Sequence, residues 1–472
     1  MTMRKKSKQP FIIPQVVITG VADKGRGVGR DADNRVVFVE HVAPGDVVDV
    51  RIVKKKPEYL DGYAVHYHSL SEDRVEPFCE HFHLCGGCRW QHLSYEGQIH
   101  HKEQMVRDAL KRIARIKPLE FLPIIPAEKT IYYRNKLEYA FSNKRWITKE
   151  EIAQGVSNLE DVLGFHRPGA FDKMVDIKHC WLQADPSNEL RITAKNVAIE
   201  QGLSFFDLRA NEGFMRHIMI RLTSIGELML IVSFFENDRE KIARYLDTIT
   251  ERIPQLTSVF YCINPKRNDY VGDLEMFCHY GKPFIEEQLG HVRFKIGPKS
   301  FFQTNSWQAK VLYDKIVEFA GLTGSENVYD LYTGVGSIAL YVANYCGQVT
   351  GIEEVPEAIV DAEENARMNG TGNCTFYAGD VKHILTPDFA EKHGKPDLVI
   401  TDPPRAGMHA DVVKMFLQLE SPKIVYVSCN PATQARDLAL LKEKYDLLKI
   451  QPVDMFPHTH HVETVALLQL RS

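Results

Sequence analysis

The chain has 472 residues, 44% of them hydrophobic and 25% charged, with a formal net charge of −4. That is too long for one ordinary domain and predicts two to four. The near-neutral charge does not advertise a nucleic-acid binder, and the absence of a long apolar run excludes a spanning helix.

The basic start, Met1–Pro10, has no apolar segment behind it, so no signal peptide and a cytoplasmic address are expected. The chain has nine cysteines, which there argues for thiol chemistry or metal ligation over a disulfide framework. Cations cluster at Arg4-Lys5-Lys6 with Lys8, at Lys54–Lys56 and between Lys102 and Lys117. Each is by itself a solvated face, although local patches can bind phosphates.

Residues 11–70 alternate short β-rich runs (Val16–Thr19, Val36–Val39, Val47–Val53) with glycine turns, as a small β-barrel would. The turn Gly25-Arg26-Gly27-Val28-Gly29-Arg30, with Lys24, reads either as a flexible cationic loop for a sugar-phosphate backbone or as a charged hairpin tip. Next, Cys79, Cys85 and Cys88 fall within ten residues, in C-x5-C-x2-C spacing. Cys180 is the best fourth thiolate for a [4Fe–4S] cluster, and His81 and His83 keep structural zinc as the alternative.

Residues 98–117 predict an amphipathic helix with Ile99, Met105, Val106, Ala109, Leu110 and Ile113 on one side and Lys102 among the cations elsewhere. Strands are expected over Tyr132–Phe141, Phe214–Thr223, Leu228–Phe235 and Ser258–Ile263. Arg134-Asn135-Lys136 lies inside the first, able to read RNA or simply to form salt-bridged strand surface.

From about residue 286, strands and helices alternate, as in a doubly wound sheet. Asp330-Leu-Tyr332-Thr-Gly334-Val-Gly336-Ser337 is strand, glycine turn and helix start, and no Gly-Lys-Ser/Thr follows to make a phosphate loop. Glu353, Asp380 and Asp402 close the next three strands. The carboxylate at Glu353 suits the ribose hydroxyls of an adenosine cofactor, with a nicotinamide dehydrogenase as the main competitor. Ala339 stands where a dehydrogenase would want its third glycine. The strand Lys423–Val427 then gives way to Ser428-Cys429-Asn430-Pro431. A lone cysteine there reads first as core filling, but at a strand's carboxyl end it can face a ligand.

Taken together, Asp402-Pro403-Pro404-Arg405, Ser428-Cys429-Asn430-Pro431, His461-Val462-Glu463-Thr464 and Phe301-Phe302-Gln303-Thr304-Asn305 resemble the motifs of RNA uracil-5 methyltransferases. The cysteine set resembles that family's iron–sulfur branch acting on 23S ribosomal RNA, and residues 11–70 its TRAM barrel. The resemblance implies a multidomain α+β fold. Its parts would be an OB-like TRAM barrel (11–70), a central β-rich RNA-binding domain with the cluster (71–285), and a Rossmann-like methyltransferase domain with a seven-stranded sheet (286–472). It makes Cys429 the nucleophile and Glu463 the base, and gives the cluster to Cys79, Cys85, Cys88 and Cys180. It lines an S-adenosylmethionine site with Gln303, Tyr332, Gly334, Gly336, Ser337, Glu353, Asp380 and Asp402. Ser337 and Asp380 stand where relatives often carry asparagine. The implied partner is RNA, 23S ribosomal or transfer, with no membrane and a monomeric protein.

The residue types fit that chemistry independently. A thiolate added to uracil C6 makes C5 nucleophilic towards a sulfonium methyl, and a carboxylate can then take the C5 proton. Three rivals are an inert iron–sulfur RNA-binding protein, a cytosine-5 methyltransferase and a radical enzyme. The first has no need of the Cys429–Glu463 pair, the second wants a cysteine after the fourth-strand proline, and the third wants a different cysteine spacing.

Overall fold

The computed structural model describes residues 11–471, so the basic cluster Arg4–Lys8 lies outside the described residues. Short runs of β-branched residues build the first sheet. Its strands are β1 (Ile12–Val17), β2 (Gly20–Val21), β3 (Gly27–Arg30), β4 (Val36–Glu40), β5 (Val47–Lys55) and β6 (Tyr59–Ser69), ordered β1-β5-β6-β4-β3-β2. Alternation sends Val16, Val37, Val39, Val48, Val50 and Leu60 into a core of their own. The glycine turn is not a flexible loop: β3 ladders with β4, Arg26 pairs with Asp61 at 2.6 Å, and the Trp90 indole donates to Gly25 O at 3.2 Å.

Ser94 caps the helix Tyr95–Ala109 by accepting from Gly97 N. The helix runs on into a π-helical turn, Leu110–Ala114. That wider turn re-phases the apolar positions, so Val106, Ala109 and Leu110 are buried while Ile113, expected beside them, is 45% exposed. Lys102, expected on the polar side, is fully buried. The helix packs into the same core as the C-terminal strands, and β7 (Glu120–Phe121) pairs in parallel with the strand Tyr445–Val453. Residues 71–285 therefore serve two packing units.

The second sheet holds β8 (Lys136–Lys144), β9 (Leu159–Arg167), β10 (Ala170–Asp176), β11 (Met215–Leu222), β12 (Leu228–Phe234), β13 (Leu256–Ile263) and β14 (Phe277–Gly281), ordered β10-β9-β8-β11-β12-β13-β14. Helices Ser187–Glu200 and Arg239–Arg252 close a core containing Tyr139, Leu190, Ile218, Leu230 and Leu246. Arg134 and Asn135 precede β8 instead of lying in it.

After the hairpin of β15 (Ile285–Leu289) and β16 (Val292–Ile296) come β17 (Asn327–Leu331), β18 (Gln348–Glu353), β19 (Cys374–Ala378), β20 (Leu398–Thr401), β21 (Lys423–Ser428), β22 (Tyr445–Val453) and β23 (Glu463–Leu470). The sheet runs β19-β18-β17-β20-β21-β23-β22-β7, so the seven expected strands gain an eighth from upstream. The first five of that order are parallel, and β23 inserts antiparallel. Strand order reverses between β17 and β20, which opens a crevice at their carboxyl ends. No helix among the described residues is long and apolar enough to cross a membrane.

Candidate active site and the thiol-lined cavity

Cys429 is the first residue after β21, half-buried. The turn carrying it is held on both sides. Asn430 caps the helix Pro431–Leu441 by accepting from Ala432 N at 3.1 Å, and its Nδ2 donates to Arg405 O at 3.1 Å. Ser428 pairs with Thr464 across the ladder to β23. Cys429 and Glu463 are the residues next beyond that pair, and Glu463, the first residue of β23, is only 5% exposed.

The local electrostatics are acidic. Burial, then Asp402, pushes Glu463 up to about 8 against the pull of Arg405. Burial, then Asp330, pushes Asp402 up to about 7. Burial raises Asp330 to about 7 as well, although its carboxylate accepts from Thr333 Oγ1 at 2.5 Å. The Cys429 thiol, facing Glu463 and Asp402, is pushed up to about 12, burial being the largest cause. Three carboxyl groups, two of them buried, thus act on one another with only the exposed Arg405 guanidinium opposing them, an arrangement that a bound cation would relieve.

Of the other residues expected to bind the cofactor, Tyr332, Glu353 and Asp380 stand close to one another at the strand ends. Tyr332, with φ of 64°, starts the turn, and its ring lies near the carboxylates of Asp380 and Glu353. Glu353 accepts from Gly334 N at 3.1 Å and Val355 N at 3.0 Å. The two glycines differ. At Gly334, φ is 56° and a Cβ would meet nothing within 4 Å, so this backbone faces open space. At Gly336 a Cβ would press on Ala362 and Phe376, so that glycine serves packing. Ser337 Oγ accepts from the Tyr313 hydroxyl at 2.9 Å. Asp380 caps its helix through Lys382 N and is held below the usual carboxylate range by the Lys382 ammonium 2.8 Å away.

Gln303 is half-buried and sits just before the helix Ser306–Ala320. Asn135 pins this segment, its Nδ2 donating to Gln303 O and to Ser306 Oγ, both at 2.8 Å. The amide expected to read RNA is therefore engaged in joining the second sheet to the crevice. Nothing in its local sequence announces that role.

The four cysteines expected as cluster ligands are brought together. Cys79, Cys85, Cys88 and Cys180 all line one cavity of about 300 Å³ with Leu137, Phe165 and Trp181. Each thiol is raised, by burial first and by its neighbours' sulfurs among the further causes, Cys88 to about 12. Asn188 fixes Cys180 through both backbone groups, at 2.8 and 3.3 Å. Four sulfurs crowded around a largely apolar hollow suit a group that binds thiolates. The histidines kept as zinc ligands are otherwise engaged. His81 Nε2 accepts from Lys178 N at 2.9 Å, and His83 Nδ1 meets His41 Nδ1 at 2.7 Å, on the wall of a neighbouring cavity. Arg89 N and Trp90 N, next after Cys88, both donate to His458 O, at 2.8 and 3.0 Å.

Among the described residues, His166, His217 and Asp269 are the one set of three potential ligand atoms mutually within 4.8 Å. Asp269 is already paired with the Arg216 guanidinium at 2.8 Å and lies 3.3 Å from His217 Nε2.

The profile of the tRNA (Uracil-5-)-methyltransferase family matches residues 280–471, and that of the TRAM domain residues 14–65. A protein of Bacteroides thetaiotaomicron bearing the name "uncharacterized RNA methyltransferase" is 51% identical over 455 residues, covering 96% of this chain and 100% of that one. A similarly named protein of Porphyromonas gingivalis is 52% identical, covering 96% and 98%. Among solved structures, the tRNA (uracil-54, C5)-methyltransferase of Pyrococcus abyssi in complex with S-adenosyl-L-homocysteine superposes with a TM-score of 0.74. Its sequence is 31% identical, with 96% of this chain and 99% of that chain covered.

Proposed function

The chain belongs to the RNA (uracil-5-)-methyltransferase family, S-adenosylmethionine-dependent enzymes, and we propose that it methylates C5 of one uridine in 23S ribosomal RNA through a covalent adduct on Cys429. The observation that supports the mechanism is the ladder of β21 on β23, whose last pair, Ser428 with Thr464, leaves Cys429 and Glu463 as the next residues, close enough for the carboxyl to act on the thiol. A transfer RNA target is the second reading. It is favoured by the Pyrococcus abyssi protein, which aligns over nearly its whole length.

S-adenosylmethionine, when bound, supplies an electrophilic methyl on a positively charged sulfur. The uncompensated acids Asp330, Asp402 and Glu463 fit that charge, and the open backbone at Gly334 with the Glu353 carboxylate fits its adenosine end. Positive charge in the cleft lowers all the acidic groups facing it, the Cys429 thiol included, and Arg405 acts in the same direction.

Cys429 Sγ, once its proton has passed to solvent, then bonds as the thiolate to uracil C6, and the C5–C6 pair shifts onto C5 and O4. The C5 pair takes the methyl as its bond to sulfur breaks. Glu463 removes the C5 proton, the C5–C6 double bond re-forms, and the C6–Sγ bond breaks to release Cys429. A buried pair of this kind meets only a base out of its stack, so the uridine is flipped.

Cys79, Cys85, Cys88 and Cys180 are read as holding a [4Fe–4S] cluster that ties the Cys79–Cys88 loop to the second sheet. The crowding of four thiols around one largely apolar hollow supports that reading, with zinc as the alternative. The test of the function uses ribosomal and transfer RNA made with 5-fluorouridine. A denaturation-resistant adduct mapped to one nucleotide of 23S RNA supports it, an adduct confined to transfer RNA moves the substrate to the second reading, and none with either sinks it.

A further inference from the structure

Between the first sheet and the cysteine loop lies a second cavity, of about 240 Å³, walled by His41, His83, Arg89 and Arg167, with Glu40 at its edge. Its cations are presented in two ways. Arg167 is fixed, its Nη1 donating to the carbonyls of His83 and Leu84. The Arg89 guanidinium makes no hydrogen bond or ion pair among the described residues, although its own backbone N–H is tied to His458 O at 2.8 Å. His41 and His83 share one Nδ1–Nδ1 contact of 2.7 Å. Whichever ring donates there, the other neutral ring must carry its proton on Nε2, so an imidazole N–H stays available. Gly86 shapes the wall: φ is 73°, and a Cβ there would collide with the Pro168 ring.

The cavity's position matters as much as its charge. Arg89 stands between it and the segment that leads to Glu463. A Cβ on Gly25 would touch Arg89 Cβ at 3.2 Å and His460 Cβ at 3.5 Å. The first sheet, the cysteine loop and the active-site segment thus meet at this one arginine.

We propose that this cavity seats one phosphodiester of the RNA strand flanking the target uridine, gripped by Arg89 and Arg167. The inference rests on the RNA methyltransferase reading and adds a binding subsite to it. A planar guanidinium fixed by backbone carbonyls beside a second one without a partner is a phosphate-binding arrangement.

The test measures RNA affinity of the intact protein against potassium chloride concentration, for wild type, Arg89→Ala and Arg89→Lys, with the 5-fluorouridine adduct followed in parallel. Arg89→Ala should flatten the slope of log affinity on log salt by about one unit. It should raise KM and leave kcat at saturating RNA near wild type, and Arg89→Lys should recover the slope. An unchanged slope with a normal adduct overturns the seat alone. So does an Arg89→Ala protein that loses kcat in step with its iron, because the role would then be structural. An Arg89-dependent slope in a wild type that forms no adduct supports the seat while removing the methyltransferase reading. Inorganic phosphate should compete with RNA more strongly than chloride of equal ionic strength in wild type and lose that advantage in Arg89→Ala; equal competition in both counts against the seat.

Discussion

Lys102 and Asp454, 352 positions apart, meet as a fully buried ion pair with Nζ 2.5 Å from Oδ1. The same carboxylate accepts from the Tyr95 hydroxyl at 2.8 Å, and the same ammonium donates to Phe456 O at 3.0 Å. A little further along, His458 N donates to Gln98 Oε1 at 2.8 Å. The helix Tyr95–Ala109 thus carries the segment that ends at Glu463.

Removing one member of such a pair leaves the other as a bare charge in a dry site. Lys102→Met should destabilise the protein by about 3–5 kcal/mol in urea denaturation. Lys102→Met with Asp454→Leu should recover much of that. A single variant as stable as wild type would show that the pair is not held as described.

Cys429 and Glu463 should fail in different ways. Cys429→Ala should abolish both methylation and the 5-fluorouridine adduct. Glu463→Gln should still form the C6–Sγ bond on ordinary uridine but be unable to remove the C5 proton, so a methylated adduct should accumulate on denaturing gels. Free turnover by Glu463→Gln would exclude it as the base.

Stability should carry the mark of Glu463 in the free enzyme. Its folded value of about 8 lies above the ordinary 4.5. The folded state therefore holds its proton more tightly than the unfolded chain does. This contribution is fully present below about pH 4.5 and is lost as pH rises through about 8. Glu463→Gln, which has no proton to lose, should gain on wild type between about pH 5 and pH 8 in paired urea melts. A constant difference across that range would contradict the burial described.

Cys180→Ala should cost the protein its iron and acid-labile sulfide together, with the broad visible absorbance. Hydrogen exchange should quicken in residues 79–90 and, through the bonds of Arg89 and Trp90 to His458, in the segment before Glu463. A colourless wild type carrying zinc would refute the cluster.

Asn135→Ala should weaken S-adenosylmethionine binding with little change in RNA affinity, since its amide holds Gln303 O and Ser306 Oγ. Losing those bonds should cost about 1–3 kcal/mol. Equilibrium dialysis with the cofactor checks it; unchanged affinity would mean that the segment holds itself.

Much of this is legible in the sequence because it is local. The Cys79–Cys88 spacing, the acidic strand ends from Asp330 to Asp402 and the alternating runs of the first sheet all declare themselves within a few residues. What escapes depends on partners far away in the chain. Lys102 reads as solvated because helical periodicity sorts charge to the outer face, and nothing near it foretells Asp454. Ile113 reads as buried because the widening of the helix that turns it outwards leaves no mark in the pattern. The glycine turn at Gly25 admits a mobile reading, yet the Arg26–Asp61 pair and the Trp90 indole bond fix it, and both partners lie well downstream.

The edge strand β7 and the Lys102–Asp454 pair also bear on how the protein is made. During synthesis the helix bearing Lys102 emerges first and must wait for Asp454. At ordinary translation rates of roughly 5–20 residues per second, that is about 20 to 70 s with an ammonium and an apolar helix face awaiting their partners. Strands β22 and β23 then complete the sheet and bring Glu463 to the end of β21 together. Until they emerge, the segment bearing Lys102 and β7 lacks the partners it has in the folded chain.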